Sequence, residues 1–231
     1  MEKRRKRFRK GRLLLTVLLL LLAGVLALKG ADSVWRMWKN SRAAASADYG
    51  ETVGETPWYL ILVNSAHPLP EDWKEPALAE MPGGETVDAR IYEPLSRMLA
   101  DAADEGLAPF VASGFRTRAE QQGFMDDKIN EYRSQGYGES DARALAEEWV
   151  ALPGTSEHEL GLAADINGAS YDLYIWLQQN SWRYGFIQRY PEDKTDITGI
   201  SHEPWHYRYV GKDAAKEIYE SGLCLEEYLG G

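Results

Sequence analysis

Two short segments of the sequence hold the side chains best suited to bind a metal ion. The first, SEHELGLAAD at residues 156–165, contains His158 and Asp165, and the second, HEPWH at residues 202–206, ends at His206. Two imidazoles and one carboxylate suit Zn²⁺, and three protein ligands leave a fourth position open for water, as a catalytic zinc requires. A closed structural zinc usually has cysteine ligands, and the chain has one cysteine. The ligand types therefore predict a catalytic rather than a structural zinc.

Glu203 precedes His206 by three residues and is the candidate general base. Zinc lowers the pKa of a bound water to about 7, and a nearby carboxylate can accept the proton that this water loses. Glu203 is close to a predicted ligand but is not needed for coordination. On spacing alone, the alternative is that these residues are ordinary polar loop residues without a metal.

The residues around these side chains favour turns and strands over helices. His158 and Asp165 are seven residues apart and would share one face of a helix. Gly161 and the small residues near it favour instead a turn that leads into a strand. Pro204 disfavours a regular helix in the second segment.

The rest of the chain predicts a mixture of helices and strands that must position these segments. Apolar residues at helical spacing predict helices at 91–105 and 171–180. The long polar segment from 118 to 150 is predicted as two helices that separate near 136–138, and a last helix at 212–221 is predicted to end at Gly222. Thr117 and Glu120 match a capping box at the start of the first of these two. Continuous or alternating apolar runs predict strands at 58–64, 107–113, 186–190 and 205–210. Because no regular βαβ repeat is present, the sequence predicts an α+β fold with a mainly antiparallel central sheet and flanking helices.

The charge distribution separates the first 12 residues from the rest of the chain. The formal net charge is −10, whereas residues 1–12 carry eight basic side chains and one acidic one, so the remainder has a net charge of −17. Such a surplus of negative charge argues against binding of nucleic-acid phosphates by the folded part. With 44% hydrophobic residues, the chain is rich enough in apolar side chains for a folded core. The lone Cys224 excludes an intramolecular disulfide.

An uncharged apolar run at residues 13–28 follows the basic residues. Its 16 residues span about 24 Å as a helix, and Gly30 and Ala31 extend it toward the roughly 30 Å of a bilayer core. The basic flank predicts residues 1–12 as a cytoplasmic tail, 13–31 as a transmembrane anchor, 32–56 as a juxtamembrane tether and 57–231 as an extracytoplasmic domain. A cleaved signal peptide is the alternative, but the AAASA box at 43–47 lies about 15 residues beyond the apolar run, too far for cleavage.

Both metal-binding segments resemble the signatures of a known family. SEHELGLAAD is similar to the Ser-x-His-x-x-Gly-x-Ala-x-Asp signature of the zinc D-alanyl-D-alanine carboxypeptidases, the VanY-like peptidases, and EPWH is similar to their second signature, Glu-x-x-His. SGFRTRAEQQ at 113–122 resembles their Ser-Gly-Tyr-Arg segment, with Phe115 in place of tyrosine. The resemblance covers nearly the whole domain and implies the fold shared by D,D-peptidases and Hedgehog-type signalling proteins, with Zn²⁺ as cofactor. It also implies that His158, Asp165 and His206 bind zinc and that Glu203 is the catalytic base.

The same resemblance implies roles for further residues around the metal. Arg116 would stabilise the oxyanion that develops on the scissile carbonyl. An arginine at a helix start opposes the helix dipole, which also favours a functional role over a structural one. Ser156 and Gln121 would line the substrate pocket. Trp205 and Tyr207 flank His206 and would form a wall of that pocket, although at least one of them is expected to pack in the core instead.

These residues predict a membrane-anchored carboxypeptidase that removes the terminal D-alanine from peptidoglycan stem peptides outside the cell, with a zinc-activated water as nucleophile. The predicted partners are peptidoglycan stem peptides and, through the N-terminal helix, the membrane, and no oligomeric state is indicated. An L,D-carboxypeptidase acting on tetrapeptide stems, a D,D-dipeptidase and an endopeptidase are alternatives with the same chemistry. A wall-binding module without catalysis is a further alternative, which the presence of both Glu203 and Arg116 disfavours.

Overall fold

A four-stranded antiparallel sheet is the centre of the structure, a computed structural model that describes residues 52–53 and 56–230. The strands of the described residues are β1 (Thr52–Val53), β2 (Thr56–Pro57), β3 (Leu78–Glu80), β4 (Thr86–Asp88), β5 (Phe110–Ser113), β6 (Ala163–Asn167), β7 (Phe186–Tyr190) and β8 (Glu203–Tyr209). The central sheet has the order β5-β6-β8-β7, and two small sheets pair β1 with β2 and β3 with β4. All of these pairs are antiparallel.

Helices flank the central sheet, so the predicted α+β class with an antiparallel sheet is confirmed. The α-helices of the described residues are α1 (Tyr92–Asp104), α2 (Arg118–Ser134), α3 (Glu139–Glu147), α4 (Asp172–Asn180), α5 (Thr195–Thr198), α6 (Lys212–Ser221) and α7 (Leu225–Leu229). Single 3₁₀ turns lie at Trp58–Leu60, Glu157–Leu160, Ser181–Tyr184 and Glu192–Lys194. The predicted helices correspond to α1, α2, α3, α4 and α6, whereas α5 and α7 were not predicted.

The start of α2 follows from a local capping box, as predicted. The Thr117 hydroxyl accepts a hydrogen bond from the Glu120 amide at 3.2 Å, and the Glu120 carboxylate accepts one from the Thr117 amide at 2.8 Å. Each satisfies an amide that the helix itself leaves unpaired. The helix therefore begins at Arg118, directly after the cap Thr117 and two residues after Arg116, which fixes the backbone that carries Arg116.

The main hydrophobic core packs helices against one face of the central sheet. Leu95 and Met98 of α1 and Leu173 of α4 share this core with Ile166 of β6 and Tyr207 of β8, and all five are fully buried. Each large apolar side chain buried in this way contributes about 1.5–3 kcal/mol. The side chains on the other face of these strands are therefore available to form a polar site.

The strand predicted at residues 58–64 is absent from the described residues, where Trp58–Leu60 forms a 3₁₀ turn instead. The reason lies far along the chain, because the buried Arg208 guanidinium donates hydrogen bonds to the carbonyls of Tyr59 at 3.2 Å and Ile61 at 2.9 Å. Trp58 stacks on Tyr209 with ring centroids 5.8 Å apart. The apolar composition correctly indicated burial, but tertiary contacts override the extended pairing.

Strand boundaries near the site differ slightly from the predicted ones. The strand predicted at 107–113 begins only at Phe110, and the one predicted at 205–210 begins two residues earlier, at Glu203. Within residues 52–53 and 56–230, no helix combines the length and the apolar character that crossing a bilayer requires. The predicted tail at 1–12 and anchor at 13–31, and most of the tether at 32–56, lie outside the described residues.

Candidate active site

Strand register places one metal-ligand candidate beside another on one face of the central sheet. Asp165 of β6 is paired directly with His206 of β8, and on the other side of β6 Ser113 of β5 is paired with Asp165. Directly opposite residues of an antiparallel pair project to the same face. Asp165 and His206, which are 41 positions apart in the sequence, therefore lie side by side.

His158 reaches the same place from the 3₁₀ turn Glu157–Leu160, which leads into β6 as predicted. Gly161 ends the turn with φ 71°, and a Cβ there would lie 3.0 Å from the Asp88 amide nitrogen, so both conformation and space favour glycine. The His158 Nδ1 lies 2.7 Å from the Gly114 carbonyl oxygen. Because a carbonyl only accepts, Nδ1 carries the proton, and the unprotonated Nε2 points at Asp165.

The three candidate ligands converge on one carboxylate oxygen, Asp165 Oδ1. The distance to His158 Nε2 is 3.4 Å and that to His206 Nδ1 is 3.2 Å. A tetrahedral zinc with bonds of about 2.0–2.1 Å separates its ligand atoms by about 3.3–3.4 Å. We call these three residues the ligand cluster. All its ligand atoms lie within 4.8 Å of one another, so the arrangement fits a single ion.

The hydrogen bonding of Asp165 also fits a bound cation. Oδ2 accepts a hydrogen bond from Arg116 at 2.8 Å, whereas the buried Oδ1 has no hydrogen-bond partner among the described residues. An unsatisfied buried carboxylate oxygen costs about 1–3 kcal/mol or more. Although burial favours the protonated form, the neighbouring imidazoles of His158 and His206 keep the pKa of Asp165 well below its usual range. The carboxylate is therefore ionised and available to a metal ion.

Glu203 lies beside the ligand cluster in the position of a general base. Its Oε2 is 3.5 Å from His206 Nδ1. Residues three apart on a regular strand face opposite sides, but the β7–β8 register shifts between Gln188 and Tyr190, which allows Glu203 to reach the face of His206. Burial raises the pKa of Glu203 to about 7. A carboxylate with such a pKa can both accept and return a proton near neutral pH.

Arg116 is held against the ligand cluster by three hydrogen bonds. It donates through Nε to Ser113 Oγ at 2.9 Å, through Nη1 to Gln121 Oε1 at 3.2 Å and through Nη2 to Asp165 at 2.8 Å. The Phe124 ring lies 4.2 Å from its Cζ. Burial lowers the pKa of Arg116, opposed by the neighbouring carboxylates. Arginine nevertheless stays protonated at neutral pH, so a positive charge faces the cavity.

A cavity of about 350 Å³ opens in front of these groups. Its wall contains the ligand cluster, Glu203 and Arg116, and also Ser156, Gln121 and Trp205 from the predicted set. Sequence reasoning missed several other lining residues, namely Phe124, Lys128, Trp149, Val150, Ala151, Tyr190 and Ile200. Those residues come from α2, the loop after α3, β7 and the loop before β8, and they carry no motif that spacing could reveal.

The predicted substrate-binding residues divide into three groups. Trp205 lines the cavity directly. Gln121 and Ser156 are buried, and each also supports a catalytic candidate, since Gln121 binds Arg116 and the Ser156 hydroxyl accepts a hydrogen bond from the His158 amide at 3.3 Å. Tyr207 was predicted as a pocket wall but lies fully buried in the hydrophobic core. Tyr207 directly follows His206 on β8, and successive side chains of a strand project to opposite faces of the sheet.

A second cluster of charges, also missed from the sequence, lies behind His206. Glu157 Oε1 is 2.7 Å from Arg189 Nε and 3.0 Å from Arg208 Nη1, and Arg189 Nη1 donates to Glu226 Oε2 at 2.9 Å. All four residues are buried. We call them the ion network. The one available signal was that two glutamates flank His158 in a segment of otherwise small and apolar residues.

Comparisons with known proteins agree with this geometry. The VanY family model, described as D-alanyl-D-alanine carboxypeptidase, matches residues 84–212. A D-alanyl-D-alanine carboxypeptidase of Enterococcus faecalis is 52% identical over 180 residues, which cover 76% of this chain and 67% of that protein.

Solved structures of other proteins are also similar to this one. A vancomycin resistance D,D-pentapeptidase VanY variant in complex with Zn(II) is 52% identical, with a TM-score of 0.72, and the match covers 74% of this chain and 99% of that chain. The LD-carboxypeptidase LdcB is 32% identical, with a TM-score of 0.64, and the match covers 80% of this chain and 94% of that chain. The chain therefore belongs to the VanY family of D-alanyl-D-alanine carboxypeptidases.

Proposed function

We propose that the protein is a zinc-dependent D-alanyl-D-alanine carboxypeptidase that removes the terminal D-alanine from peptidoglycan stem peptides. The observation that carries this proposal is the convergence of the ligand cluster, Glu203 and Arg116 on one cavity. Such a combination supplies a metal site, a general base and a cationic oxyanion partner, which together constitute the machinery of a metallopeptidase. Its occurrence in a chain 52% identical to a named D-alanyl-D-alanine carboxypeptidase supports the substrate class.

His158 Nε2, one oxygen of Asp165 and His206 Nδ1 would hold the zinc. Asp165 Oδ1 has no hydrogen-bond partner in the part of the chain that the structure describes, and it lies 3.2–3.4 Å from the two imidazole nitrogens, which fits this ion. When bound, zinc supplies Lewis-acid chemistry, because it makes a water more acidic and polarises a carbonyl.

Glu203 moves the proton in the proposed reaction. Its carboxylate accepts a proton from the attacking water and later delivers that proton to the amine nitrogen of the departing D-alanine. The pKa of about 7 suits both transfers, because a group with a pKa near the working pH exists in both protonation states.

Arg116 orients one ligand and faces the substrate. Its bond to Asp165 Oδ2 holds the carboxylate so that Oδ1 points at the two imidazoles. The three contacts within the described residues leave two of the five guanidinium N–H donors for the oxygen of the scissile carbonyl. A positive charge held there stabilises the oxyanion as it forms.

Defined stem peptides test the proposal. We expect the purified protein to release one D-alanine from a pentapeptide ending in D-alanyl-D-alanine, as measured by mass spectrometry, and to lose this activity in the presence of a chelator. A tetrapeptide stem is the matched substrate for L,D cleavage. The greater identity to the D,D-enzymes, 52% against 32% for LdcB, favours the pentapeptide. Turnover of the tetrapeptide alone would contradict the D,D assignment, and zinc binding without turnover of any stem would support a wall-binding module.

We also propose that residues 13–31 anchor the protein in the cell membrane with the catalytic domain outside. The support is the uncharged apolar run behind a strongly basic segment. Fractionation of cells that express the full chain should recover it in the membrane, with the domain accessible to external protease. A mature N-terminus near residue 30, detected by mass spectrometry, would contradict this proposal in favour of a cleaved signal peptide.

A further inference from the structure

The back of the His206 ring faces a buried carboxylate that the proposed mechanism does not use. His206 Nδ1 belongs to the ligand cluster, while Nε2 points the other way and lies 3.7 Å from Glu157 Oε2. Among the described residues, neither of these two buried atoms has a hydrogen-bond partner. A donor and an acceptor that face each other within the protein and have no other partner are complementary, and an approach of about half an ångström would form a hydrogen bond.

The orientation of the Glu157 carboxylate is fixed by the rest of the ion network. Its other oxygen, Oε1, contacts Arg189 at 2.7 Å and Arg208 at 3.0 Å. Arg189 is in turn held by Glu226, which accepts a further hydrogen bond from Asn64 at 3.1 Å. These contacts engage Oε1 and leave Oε2 directed at His206.

The two imidazoles of the ligand cluster thus have different supports. His158 donates from Nδ1 to the Gly114 carbonyl, whereas His206 faces the Glu157 carboxylate. The guanidinium groups of Arg189 and Arg208, at 2.7 and 3.0 Å from Glu157 Oε1, place two positive charges beside this carboxylate. A carboxylate behind an imidazole fixes its tautomer and ring orientation and makes the other nitrogen a stronger ligand.

We propose that Glu157 is a positioning residue that holds His206 with its proton on Nε2 and its Nδ1 lone pair toward the metal. This inference rests on the proposed zinc site and names the group that prepares one of its ligands. Arg189, Arg208 and Glu226 act one step further away, since they fix Glu157 and do not touch His206.

The test compares two glutamate-to-glutamine variants of the same network. Glu157→Gln removes the charge that faces His206, and Glu226→Gln removes a charge that binds Arg189 but is not in contact with His206. Zinc affinity is measured by competition with a chromogenic chelator, which requires no catalytic turnover. We expect Glu157→Gln to weaken zinc binding about 10–100-fold and Glu226→Gln to change it less than about threefold. Equal weakening in both variants, or unchanged affinity in Glu157→Gln, would overturn the proposal.

A second measurement uses the zinc-loaded wild-type protein and so does not depend on folding of a variant. The chain has four histidines, so its imidazole resonances are few after selective ¹⁵N labelling. We expect the His206 Nε2–H proton at low field and protected from exchange, as for an imidazole bonded to a carboxylate. Rapid exchange at an ordinary chemical shift would overturn the role of Glu157.

The two proposals can fail separately. If wild-type protein binds zinc but hydrolyses no stem peptide, the peptidase function fails while the affinity ratio still decides the role of Glu157. If wild-type protein binds no zinc, both are wrong. If it cleaves the pentapeptide and Glu157→Gln retains full zinc affinity, only the role of Glu157 is wrong.

Discussion

Two buried groups of charges meet at the two edges of the His206 ring, and they differ in how their charges are neutralised. In the ion network, two glutamates face two arginines, and Arg189 contacts both carboxylates. In the ligand cluster, Asp165 Oδ1 lies among two imidazole nitrogens without a hydrogen bond from the described residues. The protein supplies its own counter-charges to the first group and leaves the second to be completed by a cation.

This difference separates a stabilising role from a functional one. A buried ion pair that loses one partner leaves an uncompensated charge and costs about 3–5 kcal/mol. A metal site gains its affinity from ligands that are held together before the ion arrives, at some expense of stability in the metal-free protein. Substitutions of Arg189, Arg208 or Glu226 should therefore act mainly on folding, and substitutions around the ligand cluster, including Glu157 behind His206, mainly on zinc binding and catalysis.

Metal removal should have the largest effect on activity. Dialysis against a chelator is expected to abolish release of D-alanine, because the ligand cluster and Glu203 together cannot activate water without the ion. Return of Zn²⁺ should restore activity, and Mg²⁺ should not, since the imidazole ligands favour zinc. Full activity after exhaustive chelation would show that the cluster is not a metal site.

Glu203→Gln should lower kcat by about 10²–10⁴-fold, because the glutamine cannot accept the proton of the attacking water. Zinc content and thermal stability should be retained, since Glu203 is not one of the three ligand-cluster residues. Steady-state kinetics on the pentapeptide and metal analysis of the same sample provide the measurement. Loss of zinc in this variant would make Glu203 a ligand instead of the base.

Arg189→Met, in contrast to Glu203→Gln, should act mainly on stability. Removal of this guanidinium leaves Glu157 and Glu226 buried without their shared partner, and we expect a loss of about 3–5 kcal/mol in the free energy of unfolding. Chemical denaturation measures the loss. The exposed Arg183, six positions earlier, is the matched control, and Arg183→Met should change stability by less than about 0.5 kcal/mol. A small effect at Arg189 would mean that the network contributes little to folding.

The difference between the ligand cluster and the ion network also explains which features could be predicted from the sequence. The ligand cluster was predictable because its chemistry requires particular residue types, and two of its members lie in one ten-residue segment. The capping box at Thr117 was predictable because its two partners are three residues apart and make local hydrogen bonds. In both cases the signal is local or chemically constrained.

The ion network could not be predicted in this way. Glu157, Arg189, Arg208 and Glu226 are scattered along the chain, and charged residues are usually exposed, so no spacing distinguishes them from surface residues. The wrong prediction of a strand at 58–64 also results from a distant contact, because the Ile61 carbonyl accepts a hydrogen bond from Arg208, 147 positions further along the chain. The wrong prediction for Tyr207 has a third cause: both faces of a strand can carry aromatic residues, and the sequence does not tell which face of β8 is toward the pocket.

A smaller effect should be visible in the stability of metal-free protein. Burial raises the pKa of Glu203 to about 7, above the 4.5 of an exposed glutamate, so the folded state binds a proton more tightly than the unfolded state. The resulting penalty is absent below pH 4.5, grows as pH rises and is complete above pH 7. Glu203→Gln has no such penalty.

Metal-free Glu203→Gln should therefore be more stable than metal-free wild type at pH 8, by about 1–3 kcal/mol, and nearly equal to it at pH 4.5. Denaturation of both chelated proteins at the two pH values measures this. A difference that is the same at both pH values would indicate a packing effect of the glutamine. A difference confined to high pH would show that the buried base Glu203 destabilises the folded protein, whereas the charges of the ion network stabilise it.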